Sequence, residues 1–180
     1  MRRRILLLCT VVLLLAILSA GSMAYFTAAE KAQNVITTGS VALEVHQIGV
    51  DGEVYPEETL EIMPGDTLVN TVTVENTGNH PFWLRVKVTK RVKDSQLSAE
   101  GMVLDLNTRD WSYRDGYYYY NAALQAGEVT EPLFTQVSFD GKTIGNEYLG
   151  KVFTLDVDAY GVQSENNADT VWEASGWPEA

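Results

Sequence analysis

Hydrophobic and polar residues alternate along most of the chain after residue 40. The stretch Gly39–Ile48 alternates in this way, and in Phe82–Val92 the apolar members are Phe82, Leu84, Val86 and Val88. A period of two residues is typical of a β-strand with one buried face. About eight such runs follow one another, so the pattern predicts an all-β fold.

Turn-forming residues separate these runs. Met63–Asp66 places proline and glycine at the centre of a turn, the signature of type II. Asp115–Gly116 favours the type I′ turn of a hairpin formed by Thr108–Tyr113 and Tyr117–Asn121. The predicted architecture is an antiparallel β-sandwich spanning residues 39–180, with immunoglobulin-like or jelly-roll topology. The stretch Asn167–Trp172 is predicted to form a turn or two of helix.

The first 24 residues have the organisation of a secretory signal peptide. Arg2–Arg4 is followed by the apolar run Ile5–Leu18, and small residues at Ser22 and Ala24 predict cleavage before Tyr25. The run is shorter than the ~20 apolar residues of a membrane-spanning helix. We therefore expect a secreted protein that contacts the membrane only through its leader before cleavage, with residues 25–38 as a mobile arm.

The charge and the cysteine content of the chain limit the kinds of partner that it can bind. The only cysteine, Cys9, lies in the leader, and the chain after residue 24 carries 10 Lys and Arg against 24 Asp and Glu, a net charge of −14. Phosphate backbones repel such a chain, which argues against nucleic-acid binding. The one basic cluster, Lys87–Lys93, is interpreted as a solvated strand end.

The sequence contains no recognisable catalytic motif. His46 and His80 are its only histidines, and neither the His-Glu-x-x-His pattern of zinc proteases nor the Gly-x-Ser-x-Gly pattern of serine hydrolases occurs. Three zinc ligands cannot be assembled from these two histidines without an arbitrary carboxylate. We predict no catalytic residue, no metal site and no cofactor.

Two other groups of residues have weak functional interpretations. Asp156 and Asp158 share one face of a strand, as paired carboxylates of a glycosidase or a calcium site do, but they alternate with apolar residues and are expected to be its solvated side. The run Tyr117–Tyr120 resembles a sugar-stacking platform, although cross-strand tyrosine pairs are ordinary sheet stabilisers.

The junction after the leader is more specific. Ala24–Thr27, a short spacer and Asn34–Leu43 resemble the leader junction of the TasA/CalY (camelysin) family, secreted proteins of Gram-positive bacteria processed by a SipW-type signal peptidase. Ala28 departs from the usual Asp. Later blocks continue the resemblance: Gly65–Asp66, Asn76–Gly78, Phe82–Val86, Trp111, Gly116–Tyr120 and Ala159–Asn166.

This resemblance implies a jelly-roll core and a role in extracellular biofilm fibres. The members build fibres by strand donation, so the implied contacts are self-association head to tail or binding to a co-secreted matrix protein, outside the cell or at its surface. The residues expected to be donated are Tyr25, Phe26, Val35, Ile36, Val41 and Leu43. Two alternatives stay open: a cell-surface camelysin-like metalloprotease and a monomeric adhesive or carbohydrate-binding module.

Overall fold

The computed structural model of the chain describes residues 41–54, 62–93 and 95–178. The predicted leader and arm lie outside these ranges, so the boundaries at residues 24 and 38 stay predictions. The described residues form eight strands and two short 3-10 turns, Val50–Gly52 and Asn146–Tyr148. The strands are β1 Leu43–Ile48, β2 Thr67–Asn76, β3 Phe82–Val92, β4 Met102–Leu104, β5 Trp111–Arg114, β6 Tyr117–Tyr120, β7 Phe134–Phe139 and β8 Phe153–Gln163.

The strands pair into two antiparallel sheets of four. Sheet A has the order β1-β2-β7-β4 and sheet B the order β5-β6-β3-β8. The chain changes sheet between β2 and β3, β3 and β4, β4 and β5, β6 and β7, and β7 and β8. Repeated crossing between two sheets is the pattern of jelly-roll sandwiches. The predicted all-β antiparallel sandwich is confirmed.

Apolar side chains from both sheets meet between them and form the inner core. β3 and β8 pair along their whole length, from Phe82 opposite Gln163 to Val92 opposite Phe153. Alternate residues of β3 are fully buried there, as the period of two predicts. The inner core consists of Val41, Leu43, Val72, Val74, Phe82, Leu84, Val86, Met102, Trp111, Tyr120, Leu124, Leu133, Phe134, Val137, Phe139, Ile144 and Ala159.

Two asparagines of β2 are buried with the apolar side chains. Asn76 is fully buried, and its Nδ2 donates to the carbonyls of His80 and Leu124, each at 2.9 Å. Its Oδ1 accepts from the Gly78 N–H at 2.9 Å. Asn70 lies where the register of β2 against β7 shifts between Val69 and Val72. Asn76 therefore ties the turn after β2 to the loop before β7.

Both predicted turns are confirmed. The Asp66 N–H donates to the Met63 carbonyl at 3.0 Å, and Gly65 has a φ of 98°, which type II requires at its third residue. In the β5–β6 hairpin Asp115 and Gly116 have φ values of 51° and 86°, both positive as in a type I′ turn. This turn aligns Trp111 with Tyr120 across the hairpin, with ring centroids 5.1 Å apart.

The segment 164–178 differs from the prediction. It forms turns and no helix, so the predicted helical turns at Asn167–Trp172 are wrong. The segment packs on the outer face of sheet B. Trp83 stands between the inward residues Phe82 and Leu84, so a period of two places its side chain on this outer face, where it would be exposed without a cover. Instead Trp83 is only 8% exposed, and its Nε1 donates to the Ala168 carbonyl at 3.2 Å. We call the resulting second apolar group the outer cluster; its buried members are Trp83, Tyr119, Val162 and Val171.

β1 packs closely against β8 at Gly161. A Cβ atom at residue 161 would lie 2.7 Å from Val41 Cγ1 and 3.1 Å from Phe82 Cδ2. Such distances are too short for any side chain, so only glycine allows this contact. Because residue 161 has no side chain, Val41 can pack into the inner core.

Candidate assembly surface

In the part of the chain that the structure describes, β1 is an edge strand of sheet A and pairs only with β2 within that sheet. Leu43 stands opposite Asn76 in this register. Just before β1, the Ala42 carbonyl accepts from the N–H groups of Thr77 at 3.1 Å and Gly78 at 3.2 Å. These hydrogen bonds fix the start of β1 to the turn that follows β2.

The residues predicted for assembly divide into two groups. Val41 and Leu43 are 4% and 2% exposed and belong to the inner core of their own molecule. The cleavage residues Ser22, Ala24 and Tyr25 and the arm residues Phe26, Val35 and Ile36 lie outside the described residues. Their roles stay predictions.

The two histidines lie apart, each beside glutamate. His46 Nε2 is 2.8 Å from Glu75 Oε2, and His46 Nδ1 is 4.0 Å from Glu44 Oε1. His80 Nδ1 is 3.5 Å from Glu165 Oε2. In the described part of the chain no three His, Cys, Asp or Glu side chains are grouped so that they could hold a metal ion. These residues do not fit a zinc centre.

The paired carboxylates of β8 lie beside cations of β3. Asp156 forms an ion pair with Arg91, and Asp158 stands opposite Lys87 in the strand register. Both are half-buried on the outer side of sheet B. This placement agrees with the interpretation of Asp156 and Asp158 as a polar strand face.

The tyrosine run does not form an open platform. Tyr119 and Tyr120 are buried, and Tyr117 and Tyr118 are half-buried. Tyr118 packs against Tyr113 with ring centroids 4.8 Å apart, as expected of a cross-strand pair. A sugar ring has no access to four consecutive tyrosine faces here.

Arg85 occupies the centre of the outer face of sheet B. Its guanidinium carbon lies 4.0 Å from the Tyr117 ring centroid and 4.7 Å from that of Trp177, distances typical of cation–π contacts. Its Nη2 donates to the Pro178 carbonyl at 2.9 Å. Arg85 lies on the outward side of β3, and segment 164–178 covers it there.

Two groups near the β4 edge have altered acidities. Burial by itself raises the pKa of Asp105, but hydrogen bonds from the Thr135 hydroxyl and from the N–H groups of Gln136 and Thr135 lower it below 3.8 overall. Burial raises the pKa of Tyr118, and the neighbouring Tyr113 adds to the effect. Asp105 thus joins the chain after β4 to β7 as a charged acceptor.

A family model described as camelysin metallo-endopeptidase matches residues 3–110. The chain belongs to the camelysin family. The match includes the first four strands of the sandwich, and it confirms the resemblance to the camelysin family. Comparison with curated proteins and with solved structures gave no significant match.

One further property concerns the membrane. Within residues 41–54, 62–93 and 95–178 of this camelysin-family chain, no helix is long and apolar enough to cross a bilayer.

Proposed function

We propose that this camelysin-family chain is a secreted structural protein, a subunit or accessory of extracellular biofilm matrix fibres, which assembles by donating its N-terminal strand. The observation that carries the proposal is the position of β1 at the edge of sheet A, directly after the segment 25–40. An edge strand leaves half of its backbone hydrogen-bonding groups free for another chain. Strand addition at such an edge is a common mode of recognition.

The arm carries enough apolar surface to drive association. Phe26, Val35 and Ile36 each contribute about 1.5–3 kcal/mol when they are buried in a neighbour, before the ordering of the arm is subtracted. A contact between the arm of one molecule and a different surface of the next does not close on itself. Repetition of this contact produces a filament.

The sequence supports secretion as the setting for assembly. Cleavage before Tyr25 by a SipW-type signal peptidase leaves the arm at the new N-terminus, and the remaining chain has no cysteine. Its acidity keeps separate molecules soluble before assembly. The partner is a second copy of the chain or a co-secreted matrix protein.

Electron microscopy of the purified chain starting at Tyr25 tests the proposal. Fibres are expected to appear with rising concentration and to be absent for a chain that starts at Gly39. A matched variant with Val35→Ser and Ile36→Ser keeps the arm length and is expected to assemble poorly, whereas Thr37→Ser and Thr38→Ser leave assembly unchanged. Equal fibre formation by the shortened chain, with native circular dichroism, contradicts strand donation.

The family description favours one other candidate function, a metallo-endopeptidase. In the described chain, His46 is the one histidine that lies between two carboxylates, those of Glu44 and Glu75, so this activity would have to depend on His46. Casein cleavage that zinc restores after chelation, and that His46→Ala abolishes, would establish this activity. Under the structural proposal the purified chain leaves casein intact with and without zinc.

A further inference from the structure

A cleft opens into the sandwich beside β4. This strand has only three residues and, among the described residues, pairs only with β7, so no described strand covers part of the inner face of sheet B. The resulting cleft has a volume of about 330 Å³. Its lining combines the apolar Val88, Met102, Leu104 and Leu106 with Tyr118 and the charged Lys90 and Glu100. The cleft therefore offers apolar surface next to an open strand edge.

The backbone of β4 is oriented for a further strand. The Asp140 N–H donates to the Gly101 carbonyl at 2.8 Å, and the Asp105 N–H donates to the Gln136 carbonyl at 3.4 Å. The bonded backbone groups of residues 101 and 105 therefore point toward β7. Because backbone groups alternate in direction along a strand, the carbonyls of Met102 and Leu104 point to the open side.

Lys90 occupies this open side. Its Nζ reaches from β3 and donates to the Met102 carbonyl at 2.7 Å, while the rest of its side chain lines the cleft. A lysine at a sheet edge is a common means of preventing unwanted strand pairing. Lys90 thus covers the acceptor that an additional strand needs.

We infer that the β4 edge and its cleft receive the arm, residues 25–38, of a second copy of this chain, and that Lys90 controls access. This inference rests on the proposed strand donation. In sheet A the arm leaves from β1 at one edge, and β4 forms the opposite edge. An arm added at β4 extends the neighbour's sheet while leaving both β1 strands in place, so every molecule donates once and accepts once.

The dimensions allow this contact. Fourteen extended residues, 25–38, span about 46 Å at ~3.3 Å per residue. The four strands of sheet A are about 14 Å across at ~4.8 Å per strand spacing. The arm is therefore long enough to reach a neighbouring molecule. Because adjacent residues of a strand face opposite sides, Val35 supplies the apolar side chain for the cleft, and Ile36 faces outward on the side of Val103.

Lys90 and the arm compete for the Met102 carbonyl. When the arm binds, one of its backbone N–H groups donates to the Met102 carbonyl, and the Lys90 ammonium returns to water. Replacing Lys90 removes this competitor. Lys90→Ala is expected to lower the protein concentration at which fibres appear by roughly tenfold, since one charge-assisted hydrogen bond corresponds to about that factor. Lys93→Ala, a nearby exposed lysine, leaves the concentration unchanged.

Cysteine cross-linking tests the contact directly, because the chain from Tyr25 onward contains no thiol. One preparation carries Ile36→Cys and the other Val103→Cys on β4, where Val103 is 49% exposed. Mixed and mildly oxidised, they are expected to form a disulfide-linked dimer. The control pairs Ile36→Cys with Val152→Cys, a 38% exposed residue next to β8, and should give little product.

Each result separates this inference from the proposed function. Fibres that form with cross-linking at residue 152 and not at residue 103 overturn the β4 assignment and leave strand donation standing. A disulfide within a single Ile36→Cys, Val103→Cys double variant at high dilution overturns the second copy as the occupant. Unchanged assembly of Lys90→Ala overturns the role of Lys90. Absence of fibres from the unmodified chain overturns the proposed function itself.

Discussion

The inner core and the outer cluster are built in different ways. The inner core is formed by alternate residues of strands that pair in regular register, such as Leu84 and Val86 of β3. The outer cluster forms where segment 164–178, which has no strand, covers the opposite face of the same β3. One strand thus has both faces covered, by a sheet on one side and by a loop on the other.

This difference shows which contacts a local pattern determines. Burial in the inner core follows from the period of each strand. Burial in the outer cluster depends on contacts between residues far apart in sequence: Trp83 with Ala168 and Arg85 with Pro178. Aromatic rings and one guanidinium replace aliphatic packing there. We expect substitutions in the inner core to destabilise the whole sandwich. Substitutions in the outer cluster are expected to destabilise segment 164–178 alone.

The largest effect is expected from the inner core. Phe134 is completely buried between the sheets, and Phe134→Ala leaves a cavity that costs about 3–5 kcal/mol of unfolding free energy. Denaturant titration followed by far-ultraviolet circular dichroism measures the loss. A cost below about 1 kcal/mol would contradict the packing described for this region.

Trp177 tests the outer cluster. Its half-buried ring contacts both Tyr119, at 5.8 Å between centroids, and Arg85. Trp177→Ala is expected to cost about 2 kcal/mol, less than Phe134→Ala, because the ring is only partly buried. Leu149→Ala is the control, since Leu149 is 76% exposed and lies outside the outer cluster, and it should cost less than about 0.5 kcal/mol.

Hydrogen exchange locates the effect of Trp177→Ala. Amide protection is expected to fall in segment 164–178 and to stay unchanged in β2 and β7 of sheet A. An equal loss of protection in both sheets would show that the two regions unfold as one unit.

Substitution of Asp105 is expected to lower the free energy of unfolding by a smaller amount that depends on pH. Its lowered pKa means that the charged form is favoured in the folded state, so its stabilisation is present above 3.8 and is lost as the pH falls through its folded pKa. Asp105→Asn is expected to cost about 1 kcal/mol at pH 7, a modest value because the side chain is exposed. The difference from the unmodified chain should shrink as the pH falls below 3.8 and through the folded pKa of Asp105. Thermal unfolding at pH 7 and at pH 3 measures it.

The smallest effect concerns Tyr118 at alkaline pH. Its raised pKa means that the unfolded chain ionises first, so stability is lost as the pH rises above 10.0. Tyr118→Phe removes this loss and is expected to match the unmodified chain at pH 7 within about 0.5 kcal/mol, while exceeding it at pH 11 by a few tenths. Equal melting temperatures at pH 11 would contradict burial of the hydroxyl.

Sequence alone predicted the inner core well and the outer cluster poorly. Alternation identified the inward residues of β3 and β8, and dipeptides such as Asp115–Gly116 identified turns, because both signals act within a few residues. The covering of Trp83 and Arg85 has no such local signal. The apolar and proline residues Val171, Trp177 and Pro178 were a hint, since a polar tail would not need them.

The candidate assembly surface was predictable only in part. The leader and the arm were predicted from local signatures and stay predictions, whereas the family resemblance is confirmed by the match at residues 3–110. Strand order is set by long-range pairing, so the place of β1 and β4 at opposite edges of sheet A could not be deduced from the pattern. Nor could the contact of Lys90 with Met102, which depends on the crossing from β3 to β4.

Gly161 leaves the space in which Val41, two residues before β1, packs into the inner core, because a Cβ at residue 161 would lie 2.7 Å from Val41 Cγ1. Under the proposed strand donation, Gly161→Ala is expected to displace Val41 and so to lengthen the connection between neighbouring subunits. The axial repeat of a fibre would then depend on one missing carbon atom at residue 161.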